Sequence, residues 1–380
     1  MLRAAVVGLG KMGLSHHSIV RMHPQIELRA ICDTSSYVLD VLAKYTGVRT
    51  YADWREMLAQ EPLDCLFVAT PSRYHAGVVG AALERGLHVF CEKPFGLDPQ
   101  EGYRLADQAE QRQLVNQVGY HFRFVATFAE AKRLLDRQLL GKVHHVRAEA
   151  YGPVVLRPKG TTWRSQSAEG GGCLFDYACH AIDLLNYLIG RPRAVSGTVL
   201  NRVFSSDVED EIYSTLHFSE GLQGQLATNW SDETHRKMSV KLSIWGTHGR
   251  INVDRQEIQV YLRELRQPFE SFKPGWNIRY TTELTRPVWF YLRGEEYSAQ
   301  VDHFVQCIAQ GTPALSTFRT ASDTNLVAAL MRRDAGKART LVDPRNIAGA
   351  PQEAAEASTR RSRSFARTIF DRLTSPGQPS

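Results

Sequence analysis

The glycine-rich segment at residues 8–13 (GLGKMG) constrains the fold of this chain more than any other feature. It follows an apolar stretch, Leu2–Val7, that is typical of a β-strand, and it precedes a helical stretch and a second predicted strand at residues 27–32. In this G-x-G-x-x-G spacing the glycines permit a tight turn, close approach of a pyrophosphate to the backbone, and close packing of the helix. Asp33 follows at the separation where an acid can bind the ribose hydroxyls of a dinucleotide. The alternative, a turn that binds nothing, leaves the combination of strand, helix and acid unexplained.

Asp33 also bears on the choice between NAD and NADP. Its carboxylate would repel the 2′-phosphate of NADP, and no arginine follows it in residues 34–36. Ser35 and Ser36 could help to hold a phosphate if the aspartate turned away. The sequence therefore favours NAD as the cofactor over NADP.

Strand-like and helix-like segments alternate through the first third of the chain. Helices are predicted near residues 37–45 and 74–85, and strands at 64–69, 87–91 and 113–119. Regular strand–helix repeats of this length are typical of a doubly wound parallel sheet. Ligands of such sheets lie beyond the carboxyl ends of the strands.

Two of these strand ends carry polar side chains. The first (ATPSRYH) places Thr70 and Pro71 beside the predicted cofactor, and the second (CEKPFG) places Lys93 before a proline that favours an extended backbone. Such a lysine can donate a hydrogen bond to a substrate hydroxyl or to the nicotinamide ribose. The alternative is a solvated lysine that is neutralised by its neighbour Glu92.

A third polar group lies in residues 170–183 (GGGCLFDYACHAID). Asp176 and His180 are four residues apart in a predicted helix opened by three glycines, so both side chains lie on one helix face. A carboxylate and an imidazole in this arrangement suit proton transfer. Alternatively, Asp176 caps or supports the helix and His180 is a hydrogen-bonded core histidine.

Together, GLGKMG, the aspartate that ends the second strand, ATPSRYH, EKP and GGGCLFDYACHAID resemble the Gfo/Idh/MocA family of NAD(P)-dependent oxidoreductases, which is named for glucose–fructose oxidoreductase and inositol dehydrogenase. The resemblance runs from about Ala4 to about Val342. It implies an α/β fold, with an N-terminal Rossmann domain built on a doubly wound parallel sheet. A C-terminal α+β domain with a large, open, mostly antiparallel sheet would follow.

The resemblance also implies roles for individual residues. Lys93 would contact substrate and nicotinamide ribose, His180 would be the general base or acid, and Asp176 would be the neighbouring acid that binds substrate. Trp163 and Arg164 would approach the nicotinamide or the substrate. The predicted catalytic residues are therefore Lys93, Asp176 and His180. The predicted cofactor contacts are Gly8, Gly10, Lys11, Met12, Gly13, Asp33, Thr70, Pro71, His75, Glu92, Lys93, Trp163 and Arg164.

The segment after the last predicted strand of the nucleotide domain crosses into the second half of the chain. Tyr120, His121 and Arg123 would face the cleft at this crossing. The alternative for each of them is a linker residue without a ligand. The predicted substrate contacts are Tyr120, His121, Arg123, Arg164, Asp176 and His180.

From residue 143 onward the pattern is typical of strands. Apolar and polar residues alternate in 238–245, but the alternation is blurred in 222–230, which suggests that a second subunit covers one sheet face. The family resemblance implies a homo-oligomer, a homodimer or a homotetramer, that forms through this sheet. The aromatic-rich segment 264–297 is interpreted as an interface, a lid, or a stretch packed against the sheet edge.

We divide the chain into an NAD-binding domain (1–121), a substrate-binding and oligomerisation domain (122–348) and a flexible basic tail (349–380). Of the net charge of +6, residues 360–372 contribute five arginines against one aspartate. The rest of the chain is nearly neutral, so no nucleic-acid partner is predicted.

The remaining composition excludes several classes of protein. The chain contains no long apolar run and its start does not resemble a signal peptide, so we expect a cytoplasmic protein without a membrane partner. The six cysteines form no CxxC pair and show no metal-type spacing with histidines. We therefore predict no metal and reduced, mostly buried thiols.

These observations predict an NAD-dependent enzyme that moves a hydride between a nicotinamide and a hydroxyl-bearing carbon of a small carbohydrate or polyol. His180 would exchange the hydroxyl proton, Lys93 would stabilise the oxyanion, and Asp176 would orient the substrate and favour a chargeable histidine. Basic residues between 152 and 167, Arg157, Lys159 and Arg164, hint at an anionic sugar derivative such as a sugar acid or a nucleotide sugar. The alternatives are an NAD-dependent glycosidase of the same fold and a non-catalytic regulator that senses cofactor or sugar.

Overall fold

Six parallel strands form the first of two sheets in the structure, a computed structural model that describes residues 1–154, 163–264 and 272–337. The strands are β1 (Leu2–Val7), β2 (Ile26–Cys32), β3 (Arg49–Tyr51), β4 (Cys65–Val68), β5 (His88–Cys91) and β6 (Asn116–Val118). They pair in the order β3-β2-β1-β4-β5-β6. The direction of strand order reverses between β1 and β4, and a doubly wound sheet binds its ligand beyond the carboxyl ends of the strands at such a point.

Helices connect these strands. They are α1 (Lys11–Arg21), α2 (Ser36–Thr46), α3 (Trp54–Gln60), α4 (His75–Glu84) and α5 (Pro99–Gln111). The side chains of Ser35, Asp53 and Asp98 accept backbone N–H groups at the starts of α2, α3 and α5. Each residue satisfies a donor that a helix leaves unpaired in its first turn. Local capping chemistry therefore fixes where three of the five helices begin.

Eight strands form the second sheet. They are β7 (Val143–Tyr151), β8 (Ala194–Asn201), β9 (Glu211–His217), β10 (Gln223–Asn229), β11 (Ser239–Gly246), β12 (Gly249–Val253), β13 (Glu257–Leu262) and β14 (Gly275–Tyr280). Their order is β14-β13-β12-β11-β7-β10-β9-β8. Only β7 and β10 run parallel among the paired strands, so the sheet is mostly antiparallel, as predicted.

The second sheet has one covered face and one open face. Alternate residues such as Val240, Leu242 and Ile244 of β11 are buried in a core shared with three helices. These helices are α6 (Ala126–Asp136), α7 (Cys179–Leu188) and α10 (Phe318–Ala335). The opposite face carries exposed aromatic side chains, among them Tyr213 and Trp276. The period-two pattern thus sets the sheet's covered face.

The chain returns to the first sheet after it has completed the second. Two further helices, α8 (Thr281–Leu284) and α9 (Glu295–Gln310), precede α10. Phe304 of α9 packs edge-on against Phe67 with ring centroids 5.6 Å apart, and Phe318 at the start of α10 stacks on Phe95 at 4.1 Å. These late helices thus contact the first sheet although they follow the second one in the chain. The domain boundaries at 121 and 348 stay a prediction. Residues 349–380, the predicted tail, lie outside the described part.

The fold class predicted from the sequence is confirmed, but several elements were not predicted. These are β3, α3, α5, β8, β12, β13, β14 and α8. Segment 264–297 contains the edge strand β14, and beyond it Trp289 packs on His23 at 4.6 Å, so at least part of its aromatic surface packs inside the chain. All six cysteines are buried free thiols, as predicted. Among the described residues, no helix has both the length and the apolar character needed to span a bilayer.

Candidate active site

The loop between β1 and α1 is shaped to receive a phosphate. A Cβ atom at Gly13 would lie 1.7 Å from the carbonyl oxygen of Gly8, so only glycine permits this close approach of helix and loop. Gly10 caps α1 without a side-chain hydrogen bond, and the space beside it holds no atom of the described residues within 4 Å. The first amides of α1 are therefore available to an anion. This open cradle fits the pyrophosphate of a dinucleotide.

Asp33 lies directly after β2 and holds the same loop. Its Oδ2 accepts a hydrogen bond from the backbone N–H of Leu9 at 2.5 Å, and its Oδ1 accepts one from Ser35 at 2.8 Å. An ionised carboxylate has about four acceptor positions, so two remain for the ribose hydroxyls of a cofactor. The carboxylate therefore fits NAD better than NADP, whose 2′-phosphate it would repel.

His75 joins the two strand-end loops that the sequence singled out. Its Nε2 lies 2.9 Å from the carbonyl oxygen of Thr70, and its Nδ1 lies 3.0 Å from that of Pro94. The ring is buried, so it positions both loops. The hydroxyl of Thr70 is buried without a hydrogen-bond partner among the described residues, whereas Pro71 beside it is exposed. An unpaired buried hydroxyl next to the glycine loop is available to a bound molecule.

Glu92 and Lys93 are neighbours whose side chains take different partners. The Oε1 of Glu92 lies 2.6 Å from Nε2 of His16, which is buried. Burial favours the neutral acid, but His16 and then Lys93 and His121 outweigh it, so the pKa of Glu92 lies below its ordinary value. Glu92 therefore does not form an exposed ion pair with Lys93, and the alternative of a solvated lysine does not apply.

Lys93 instead binds Asp176, which lies 83 residues further along the chain. Its Nζ donates to Oδ1 of Asp176 at 2.9 Å, and Arg164 donates from Nε to Oδ2 at 2.8 Å. Burial opposes both charges. The carboxylate nevertheless raises the pKa of Lys93, while Lys93 and Arg164 lower the pKa of Asp176 to about 2. At neutral pH the site thus holds a lysine ammonium fixed by an ionised carboxylate.

The backbone around Asp176 depends on the triple glycine and on Glu209. Gly172 has φ +102°, and a Cβ atom there would lie 2.4 Å from Oε1 of Glu209. That same oxygen accepts the N–H of Leu174 at 2.9 Å, at the start of a π-helical turn, Leu174–Ala178, that continues into α7. Helical turns of this type are rare and frequently occur at functional sites. The glycines therefore make room for the acid that caps the turn carrying Asp176.

His180 lies in α7 beside a second histidine. Its ring is 5.1 Å from that of His121, and its Nδ1 is buried without a partner among the described residues. His121 in turn stacks on Tyr297 at 4.6 Å. Burial is the largest cause that lowers the pKa of His180, and the charge of Lys93 lowers it further. His180 is therefore neutral at physiological pH and can accept a proton.

The position of Asp176 differs from expectation in one respect. We predicted that this carboxylate would favour a chargeable His180. Both carboxylate oxygens are bound to Lys93 and Arg164, and Asp176 is not among the causes that shift the pKa of His180. Asp176 and His180 do line the same cleft, as their helical spacing predicts. The carboxylate of Asp176, however, binds Lys93 and Arg164 and not His180.

One cleft of about 640 Å³ is lined by the predicted catalytic residues and by several of the other predicted contacts. This volume is in the usual range for small-molecule sites. The predicted residues that line it are Lys11, Met12, Glu92, Lys93, His121, Arg164, Asp176 and His180. The cavity is thus lined by residues of the glycine-rich segment, of the loop after β5 and of the π-helical turn.

Ten predicted site residues do not line this cleft. Seven of them belong to the glycine loop and the strand ends described above: Gly8, Gly10, Gly13, Asp33, Thr70, Pro71 and His75. The other three are Tyr120, Arg123 and Trp163. Tyr120 is fully buried, with its ring edge-on to His180 at 6.0 Å. Arg123 is bound to Asp183 through two hydrogen bonds, of 2.9 and 2.6 Å, and does not line the cleft. Trp163 lies under the guanidinium of Arg164, 4.7 Å from its ring centroid, and can act by holding that arginine. Arg157 and Lys159 lie outside the described residues.

Two groups of residues in the cleft were not found from the sequence. Asp210 accepts hydrogen bonds from the indole N–H of Trp230 at 2.8 Å and from the backbone of Ser205 at 2.9 Å, and both of these residues line the cleft. Tyr297 and Arg293 line it from the far end of the chain. No local motif marks either group, because only the second sheet and α9 bring them to the site.

We searched the described part of the chain for clusters of metal-ligating side chains. Within residues 1–154, 163–264 and 272–337, no group of three or more histidine, cysteine or acidic side chains could hold a metal ion.

We predict that the neutral histidines of the cleft make stability fall in acid. Burial, assisted by nearby cations, lowers the pKa of His121 to about 3, and that of His180 also lies well below 6.5. The unfolded chain binds these protons below pH 6.5 while the folded chain does not. The free energy of unfolding should therefore fall by about 1.4 kcal/mol per pH unit for each of them.

Urea unfolding at several pH values between 7.5 and 5 measures this dependence. His121→Gln should reduce the slope of the unfolding free energy against pH by about one proton. Equal slopes for the two proteins would contradict the predicted neutral state of His121.

Two family models match the chain, one over the first sheet and one over much of the second. Residues 2–120 match the oxidoreductase family with an NAD-binding Rossmann fold, and residues 128–252 match the Gfo/Idh/MocA C-terminal domain. Together they cover more than half of the sequence. The first match contains the glycine loop, Asp33 and Lys93, and the second contains Asp176 and His180.

Proteins of known name align with most of the chain. It is 25% identical over 326 residues to scyllo-inositol 2-dehydrogenase (NAD(+)) of Bacillus subtilis, covering 83% of this chain and 89% of that protein. Levoglucosan dehydrogenase of Pseudarthrobacter phenanthrenivorans is 25% identical over 296 residues, covering 68% and 76%.

Solved structures share the fold. GenD2 from gentamicin A biosynthesis, solved in complex with NAD, superposes with a TM-score of 0.72 at 28% identity, covering 89% of this chain and 95% of that one. Levoglucosan dehydrogenase in complex with NADH and levoglucosan superposes with a TM-score of 0.77 at 24% identity, covering 88% and 97%. The motifs, the two sheets and both family models agree: the chain belongs to the Gfo/Idh/MocA family of oxidoreductases.

Proposed function

We propose that the protein is an NAD-dependent dehydrogenase that acts on a hydroxyl-bearing carbon of a sugar, a polyol or a sugar derivative. One observation carries this proposal: a charged lysine and a neutral histidine line the same cleft, at the ligand-binding edge of a sheet with an open phosphate loop. Oxidation of an alcohol requires both groups, since the hydroxyl loses its proton and its oxygen carries developing negative charge.

The named relatives support this substrate class. They include an inositol dehydrogenase, a levoglucosan dehydrogenase and a D-glucoside 3-dehydrogenase. Each of these names describes removal of hydrogen from a polyol or a sugar. The proposal transfers that class of substrate, and no particular member of it, to this chain.

The cofactor site is assigned to the residues that form the cradle described above. The first amides of α1 and the spare acceptor positions of Asp33 would hold NAD, and Thr70 offers a free hydroxyl beside them. NAD supplies a nicotinamide carbon that accepts or gives back a hydride. All of the proton chemistry is left to side chains of the protein.

Lys93 and His180 divide that proton chemistry. Lys93 cannot accept a proton because Asp176 keeps it charged, so it donates a hydrogen bond to the substrate oxygen and stabilises charge there. His180 is neutral and takes the hydroxyl proton. Asp176, itself bound by Arg164, holds the lysine through its carboxylate and its carbonyl oxygen, which leaves the third N–H donor of Lys93 for substrate.

The proposal is tested by incubating the purified protein with NAD and a panel of inositols, hexoses and sugar acids. We expect NADH to accumulate with at least one of them, in amounts equal to the oxidised product. Release of a free sugar from a glycoside without net NADH would indicate the glycosidase alternative. Tight binding of NAD without turnover of any compound would indicate a regulator and contradict the proposal.

We also propose that the protein works as a homodimer or homotetramer formed through the open face of the second sheet. That face carries a cluster of large side chains: Tyr261, Trp276, Ile278 and Tyr280 are each about 40 to 50% exposed. Apolar side chains grouped on one sheet face typically mark an interaction surface. Light scattering of the full chain, compared with a Trp276→Lys/Ile278→Lys variant, measures this assembly.

We propose in addition that the protein is located in the cytoplasm.

A further inference from the structure

The charge of the cleft is strongly unbalanced. Among the described residues, seven basic side chains line it against two carboxylates, Glu92 and Asp176. Glu92 is occupied by His16, and Asp176 is shared by Lys93 and Arg164. The acids therefore neutralise only the inner part of the cleft, where the reacting hydroxyl is proposed to lie.

A third basic residue of the cleft, Arg255, is paired with an acid that does not line it. Nη2 of Arg255 lies 2.6 Å from Oε1 of Glu296, which is 4% exposed. This pair is fixed within the fold, so Arg255 carries little uncompensated charge. Lys11 beside the glycine loop also has an interaction in place. Three basic residues remain: Arg236, Lys237 and Arg293.

Arg236 and Lys237 lie just before β11, on the part of the cleft that the second sheet supplies. Both are exposed, and neither makes a hydrogen bond or an ion pair within the described residues. They follow Trp230, which comes directly after β10, and Ser231 of the same segment pairs with Pro153. The amides of α1 already provide a site for the phosphates of a dinucleotide. These two cations are therefore left for a different anion.

Arg293 enters the cleft from the residues just before α9. Its backbone has φ +69°, a region that residues other than glycine rarely adopt. Its guanidinium lies 5.3 Å from the ring centroid of Tyr297, which in turn stacks on His121. This contact with the aromatic ring restricts the arginine side chain. Arg293 is thus a positioned cation without a carboxylate partner in the described part of the chain.

We propose that the substrate carries an anionic group, a phosphate or a carboxylate, that Arg236, Lys237 and Arg293 bind while its hydroxyl meets Lys93 and His180. This inference rests on the proposed function and names the substrate class within it. Arginine edges match planar and tetrahedral oxyanions through paired hydrogen bonds, and a basic cleft also raises the local concentration of an anion. The reaction itself stays hydride transfer from a carbinol carbon to NAD.

The test compares matched sugars on the full chain saturated with NADH. Binding of glucose, glucose 6-phosphate and glucuronate, and of the three corresponding galactose compounds, is measured by calorimetry at low and at high salt. We expect a charged member of at least one set to bind about tenfold or more tightly than its neutral parent at low salt, and to lose this advantage as salt screens it. Comparison of the sugar phosphates with the sugar acids identifies which of the two anions the site binds. Affinities within twofold of the neutral sugar in both sets, or no binding at all, would overturn the proposal.

Substitutions assign the preference to these residues. Arg236→Gln/Lys237→Gln and Arg293→Met should each weaken binding of the charged sugar by about tenfold and change binding of the neutral sugar by less than twofold. The matched control is Arg112→Gln/Lys142→Gln, which removes the same charge as the first variant at exposed positions that do not line the cleft. A preference that survives in both cleft variants, or that disappears equally in the control, would contradict the assignment.

The same sugars distinguish failure of this inference from failure of the proposed function. If a charged sugar binds preferentially but no sugar ever yields NADH, the anion site stands and the dehydrogenase proposal fails. If neutral and charged sugars are oxidised with equal kcat/KM at low salt, the dehydrogenase stands and the anion site fails.

Discussion

Replacing Lys93 with methionine is expected to lower kcat by about a hundredfold or more while the affinity for NAD changes little. The reason is geometric. Lys93 is the ammonium that the fold directs into the cleft beside His180, and Asp176 keeps it charged. Methionine retains the length and apolar stem of lysine but cannot donate a hydrogen bond to the substrate oxygen. Steady-state kinetics with the best substrate of the panel measures kcat, and titration with NAD, followed by quenching of tryptophan fluorescence, measures the affinity.

A loss of fold must be separated from a loss of chemistry in this variant. Lys93→Met leaves the buried carboxylate of Asp176 with Arg164 as its remaining partner, and an underpaired buried charge destabilises a protein. Lys93→Met/Asp176→Asn removes that charge and should recover most of the lost thermal stability without recovering turnover. Near-normal turnover in Lys93→Met, or turnover restored by the second substitution, would refute the proposed role of Lys93.

His180→Gln tests the other half of the division of roles. The variant loses the proton acceptor but keeps Lys93 and Asp176, so kcat should again fall by about a hundredfold. Hydroxide from solvent can replace a missing base, so the residual rate of His180→Gln should rise with pH more steeply than that of the wild type. Parallel pH profiles for the two proteins would show that His180 does not accept the proton.

The glycine loop and the first sheet could be predicted because their determinants are local. Gly13 must be glycine for α1 to pack on Gly8, and Asp33 ends β2 at a fixed distance along the chain. Asp176 and His180 were likewise predicted to share a helix face, and both line the cleft. In each case a spacing of a few residues is enough to place the side chains.

The partners within the cleft could not be predicted from any spacing. Asp176 of the π-helical turn binds Lys93, which follows β5 of the first sheet. Arg293 reaches the cleft only because α9 returns to the first sheet after β14. An unpaired arginine in a cleft and one on a solvated surface look the same in a sequence. The edge strand β14 was missed although Trp276, Ile278 and Tyr280 alternate with polar residues, because the strand is only six residues long and its apolar residues lie on the exposed face.

Arg123 shows how a residue can be adjacent to a site in sequence and yet serve the core. It follows His121 by two residues, but its guanidinium is 3% exposed and bound to the carboxylate of Asp183, which is 1% exposed. It also donates to the carbonyl oxygen of Leu315 and lies 5.1 Å from the ring centroid of Tyr187. The pair thus ties the crossing segment to α7 and to the segment before α10.

Arg123→Met is therefore expected to destabilise the fold by about 3 to 5 kcal/mol, because it leaves the carboxylate of Asp183 buried without its partner. Burial already raises the pKa of Asp183 in spite of Arg123, which indicates that desolvation of the pair is costly. Arg123→Met/Asp183→Leu removes both charges and should regain most of the lost stability. The measurement is the midpoint and slope of urea unfolding, followed by tryptophan fluorescence.

The matched control is Lys132→Met, which removes a second cation near the same tyrosine ring. Lys132 lies 5.7 Å from the ring centroid of Tyr187, but its carboxylate partner Asp136 is 57% exposed. Exposed pairs of this kind contribute about 1 kcal/mol or less. If Lys132→Met costs as much as Arg123→Met, the loss comes from the tyrosine contact. If the double variant is no more stable than Arg123→Met, the stranded carboxylate is not the cause, and Arg123 must act through its contact with Leu315 instead.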